Sequence, residues 1–138
     1  MDRNSLNQIY IQSEENIKRA NREIKLSLES YFNELLTRSA SMGYGSVKYG
    51  LADRHCYDFI QEAITRRRNK NKPISDDATI RVIIAANFAS AEEILKLISS
   101  IYKDLDPLVK KETVGLNEGS TIFLTWNTNG PTQRIENA

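Results

Sequence analysis

ATIRVIIAANF, residues 78–88, is the stretch on which the fold turns. Ile80, Val82, Ile84 and Ala86 alternate along one side while Ile83 and Ala85 are apolar on the other, which is the pattern of a strand covered on both faces. A strand here makes the carboxy-terminal half β-α-β-β. Ser90 and Glu93 stand at capping-box spacing ahead of Ile94, Leu97, Ile98, Ile101 and Leu105, which predicts a helix over 90–105 that yields at Pro107. VKKETVGL (109–116) and STIFLTWN (120–127) flank a turn at Asn117, Glu118 and Gly119 and read as a hairpin, with Ile122, Leu124 and Trp126 sharing one face.

Upstream the period changes. From about Ser5 to Ser39 no proline or glycine occurs, and Tyr10, Ile17, Ala20, Ile24, Tyr31 and Leu35 recur at spacings built from threes and fours, so one long helix is expected. Glu14 with Lys18, Glu15 with Arg19, and Arg19 with Glu23 are spaced for solvent-side i,i+4 pairs, each worth roughly 0.2–0.5 kcal/mol. The apolar stripe is thin at first and broadens with Leu28, Tyr31, Phe32, Leu35 and Leu36. The later turns should therefore pack on the domain, and the earlier ones project or pair with another chain. Ser13 and Ser27 in the same register weaken a strict leucine zipper. A second helix begins near Asp53, a suitable cap, and carries Cys56, Tyr57, Ile60, Ala63 and Ile64 on one face. Its last turn holds Arg66, Arg67 and Arg68, where positive charge complements the carbonyl end of the helix; the NKNKP run at 69–73 then reads as a linker.

The expected fold is α+β: the long amino-terminal helix and the second helix pack with a small three-stranded sheet formed by 79–87, 109–116 and 120–127. Residues 1–42 form a helical arm, 43–52 a glycine-rich connector, 53–127 the compact core and 128–138 a flexible tail. A chain of 138 residues with 40% hydrophobic and 27% charged residues has interior enough for one core. Its 19 basic and 18 acidic side chains give no global field toward nucleic acid or membrane. One cysteine and one histidine exclude an internal disulfide and a Cys/His zinc site within one chain. No apolar run of about 18 residues suggests a membrane span, and the polar amino terminus lacks a secretory signal. A soluble, intracellular, cytoplasmic protein is expected.

Each candidate chemistry fails on a particular residue. Gly45 and Gly50 have phosphate-loop spacing, but Leu51 and Ala52 stand where lysine and a hydroxyl are required, and the segment follows a helix instead of a strand. Gly45-Ser46 could open a nucleotidyl-transfer site, but Asp58 has no second carboxylate two positions on to hold paired metals. His55 and Cys56 are adjacent on a helix and so point about 100 degrees apart, too far for the imidazole to activate the thiol. The sequence thus predicts no catalytic residue, no cofactor and no metal. The favoured expectation is a non-enzymatic protein-interaction or assembly module, self-associating through the amino-terminal helix, with Tyr10, Ile17, Ile24, Tyr44 and Tyr49 as partner-binding candidates. The alternative is a nucleic-acid-binding accessory protein that grips phosphates with Arg66, Arg67, Arg68, Lys70 and Lys72. Asp76 and Asp77 follow closely and blunt that patch.

Overall fold

The computed structural model describes residues 1–69 and 77–138. Helix α1 (Arg3–Ser41) is followed by strand β1 (Ser46–Ala52), helices α2 (Cys56–Arg68), α3 (Asp77–Asn87) and α4 (Ala91–Ile101), and strands β2 (Leu108–Lys111), β3 (Gly119–Thr125) and β4 (Thr132–Asn137). The four strands form one mixed sheet in the order β2-β3-β1-β4, in which β1 runs antiparallel to β3 and parallel to β4. The fold is α+β as expected, with four strands instead of three.

The segment 79–87 is not a strand. It is α3, and its buried residues Ile80, Ile83 and Ile84 follow helical spacing, while Val82, assigned to the core face by alternation, is 68% exposed. A short apolar run satisfies both periods, so partners decide. The centre of the sheet belongs to 46–52, where Val47, Tyr49 and Leu51 alternate inward against Leu124, Ile122 and Ser120 of β3. The supposed connector is thus the central strand, and the supposed tail supplies an edge strand.

Of the glycines that made 43–50 look like a loop, Gly45 and Gly50 are there for close approach and Gly43 for a turn. Gly43 has φ +91, the left-handed turn that ends α1. A Cβ on Gly45 would lie 2.0 Å from the Asn127 carbonyl oxygen and 2.9 Å from Gly130 Cα, so the backbone enters the sheet where only hydrogen fits. The hairpin is shorter than expected: β2 ends at Lys111, and residues 112–118 curl back through a bridge between Val114 and Asn117.

Helices α1, α2 and α4 cover one sheet face. Tyr31, Phe32, Tyr49 and Phe59 form the centre of the core, with ring centroids 5.1 to 6.2 Å apart and mostly tilted or edge-on. Each such side chain contributes about 1.5–3 kcal/mol by leaving water. On α2 the buried aromatic is Phe59, and Tyr57, expected on the core face, is exposed. Ser90 caps α4 by accepting from the Glu93 amide at 3.5 Å, as its spacing requires; the helix ends at Ile101, and Asp106 takes a left-handed φ of 48 just before Pro107.

Candidate interaction surfaces

Thirty-nine helical residues at about 1.5 Å each make α1 roughly 58 Å long. Asp2 caps its start, accepting from the Ser5 amide at 2.8 Å. From Ala20 onward one stripe is buried: Ala20, Ile24, Ser27, Leu28 and Phe32. Before Ala20 the same stripe runs on uncovered through Leu6, Tyr10, Ser13 and Ile17, with the three apolar side chains 45 to 63% exposed. Ile9, Ser13 and Ile17 face Thr79 at the start of α3 across an open groove. Glu14 holds the Tyr10 phenol above its ordinary pKa, chiefly through their hydrogen bond. Two of the five partner-binding candidates therefore lie on this free arm, Tyr10 and Ile17. Ile24 is wholly buried, Tyr44 is half-buried, and Tyr49 is 2% exposed inside the sheet core, where desolvation raises its pKa. Ile24 and Tyr49 are core residues and offer no partner contact.

The arginine run is dispersed by its helix. Arg66 pairs with Glu62 at 2.8 Å and lies 4.9 Å over the Tyr31 ring. Arg68 turns inward, 2.5 Å from Glu23 on α1 and 2.5 Å from Asp77 on α3, so it clamps three helices. Glu23, fully buried and paired with Arg68, does not face solvent beside Arg19, as helix spacing had suggested. Among the described residues Arg67 Nη1 has no hydrogen-bond partner. Lys70 and Lys72 lie outside the described residues.

Cys56 is buried beneath β1, its thiol 3.9 Å from the Ala52 carbonyl oxygen. Desolvation, reinforced by Asp53 and Glu93, pushes its pKa up to about 12, which removes the thiolate a nucleophile would need.

Sequence reasoning missed a polar cleft of about 400 Å³ between the start of α4 and the β2–β3 hairpin, lined by Asp53, Glu92, Lys111, Glu112 and Glu118. Asp53 does not cap the helix that follows it; its carboxylate accepts from the Ala91 amide at 2.9 Å, at the start of α4. Glu92 is held below the ordinary carboxylate range by hydrogen bonds from Lys96 and Lys111, and Glu112 by Thr121 and Lys48. These carboxylates neutralise neighbouring lysines and satisfy backbone amides. Among the described residues no group of His, Cys, Asp or Glu is arranged to hold a metal ion, and no helix is long and apolar enough to cross a membrane.

The chain matches no protein-family model, and neither a curated protein nor a solved structure shows significant similarity to it.

Proposed function

We propose that the chain is a non-enzymatic interaction module of the cell interior that self-associates through the amino-terminal half of α1. The observation that carries this reading is the continuation of the core-facing stripe beyond the core: Leu6, Tyr10 and Ile17 are exposed on the line along which Ala20 and Ile24 are wholly buried. Paired antiparallel with a second arm, the stripe sets Leu6 against Ile17, joining two apolar side chains, and Tyr10 against the small Ser13, which leaves the ring room. The buried, solitary Cys56 fits a reducing compartment.

The test is Leu6→Glu combined with Ile17→Glu, both at exposed positions, with mass followed by light scattering across the micromolar range. The wild-type mass should exceed that of one chain and fall in the variant, with helical content unchanged. A wild-type chain that stays monomeric at high micromolar concentration refutes the reading.

Nucleic-acid binding ranks second. Arg66 remains exposed at the end of α2, but Arg67 is half-buried with its Nη1 inside, and Arg68 is held by Glu23 and Asp77, which leaves a thinner phosphate-binding set than the sequence suggests.

A further inference from the structure

The two edges of the sheet are built differently. At one edge β2 has only four residues and carries Lys110 and Lys111, the short, lysine-bearing form that discourages further strand pairing. At the other edge β4 has six residues, TQRIEN, with no lysine and no internal proline.

The hydrogen-bond alternation settles which backbone groups β4 leaves free. Trp126 N–H donates to the Gly45 carbonyl at 3.0 Å, and Asp53 N–H donates to the Glu118 carbonyl at 2.9 Å, so the odd-numbered residues of β1 face β3 and the even-numbered ones face β4. In the β1–β4 register this directs the N–H and C=O groups of Gln133, Ile135 and Asn137 at β1. Pro131, just before β4, likewise turns its carbonyl toward the β1 side, where it accepts from the Gly45 N–H at 2.8 Å as the chain crosses the end of the strand. The backbone groups of Thr132, Arg134 and Glu136 therefore point outward along the edge.

Arg134 and Glu136 are exposed and lie on the sheet face away from the helices, two positions apart around Ile135. An antiparallel copy of β4, related by a two-fold axis through Ile135, places Arg134 opposite the Glu136 of the other copy, and Glu136 opposite its Arg134. Both are outward-pointing residues, so each pair exchanges both N–H···O bonds and joins opposite charges at once. Neither charge meets its like. On the helix-facing side Ile135, half-buried beside Leu35 in a shallow groove, would meet its own symmetry mate. We infer that β4 is a self-pairing edge, at which two copies of the chain join their sheets into one continuous sheet in the register Arg134–Glu136.

This interface is separate from the α1 arm and does not depend on it. The test uses full-length chains and opposite charge reversals. Arg134→Glu makes the edge doubly acidic and Glu136→Arg makes it doubly basic, so each should reject itself and accept the other. Tagged Arg134→Glu chain is mixed with untagged Glu136→Arg or untagged Arg134→Glu chain, and the captured amounts are compared; any arm-mediated association contributes equally to both mixtures. Capture of the opposite variant should exceed capture of the like variant by at least about tenfold, because two attractive cross-strand pairs replace two repulsive ones. The double variant Arg134→Glu/Glu136→Arg restores both pairs in swapped order and should capture itself as the wild type does. Equal capture of like and opposite variants, or a double variant that fails to self-capture while retaining its circular dichroism spectrum, overturns the inference. Such results would leave the edge to a different occupant.

Discussion

Alkaline pH should unfold this chain in part through Cys56, and the size of the effect follows from where the thiol sits. The side chain is buried among β1 and α2, and desolvation lifts its pKa from an ordinary 9.0 to about 12. In the unfolded chain the thiol ionises near the lower value, so between about pH 9 and pH 12 the unfolded state has lost a proton that the folded state still holds. The unfolded state binds fewer protons in that window, and stability must fall as pH rises. Each unit of difference corresponds to about 1.4 kcal/mol, so by about pH 11 the thiol alone removes roughly 2–3 kcal/mol, a large part of a typical total of about 5–15. Urea unfolding of the wild type and of Cys56→Ala, under reductant and at matched pH, isolates this contribution. Burial also raises the pKa of Tyr49 and Tyr102, but both proteins contain those phenols and their effect cancels in the difference. At neutral pH the alanine variant should be less stable by about 1 kcal/mol through lost packing. The curves should converge and cross as pH rises past the ordinary thiol value. A stability difference that stays constant to about pH 11, or rapid labelling of the native thiol, would refute the argument.

Two further substitutions probe the packing. Gly45→Ala should destabilise by about 3 kcal/mol or more, read as a lower urea midpoint, because the new methyl meets the Asn127 carbonyl and Gly130 backbone and no flexible side chain can yield. Arg68→Gln should cost about 3 kcal/mol by removing the clamp on the buried Glu23, whereas Arg66→Gln, at an exposed pair, should cost under about 1. If the protein-interaction reading holds, a chain carrying both Arg66→Gln and Arg67→Gln should show negligible duplex-DNA affinity before and after substitution at physiological salt. Submicromolar binding lost in that variant, with a flatter salt slope, would move the nucleic-acid reading to first place.

Local signals by themselves determined the long helix, the capped helix α4, the second helix with its buried Cys56, and the hairpin, because each rests on sequence-near patterns: uninterrupted helical spacing, a serine and glutamate three residues apart, a glycine turn between apolar runs. The exposed arm residues Tyr10 and Ile17 were legible too, since the stripe thins where the body ends. Tertiary structure decided the rest. Whether 77–87 is helix or strand could not be read from a short apolar run that fits both periods; it depends on which segment occupies the middle of the sheet. That place goes to 46–52, whose alternating Val47, Tyr49 and Leu51 are masked by glycines that look like a loop until Asn127, Gly130 and Val114 are seen pressing against them. The tail becomes β4 because β1 offers it a ladder, and the buried Glu23 is met by Arg68, 45 residues away. Long-range pairing leaves no mark at short sequence range. The Arg134–Glu136 edge illustrates this: three residues of an apparently formless tail acquire a face and a hydrogen-bonding phase from the strand beside them.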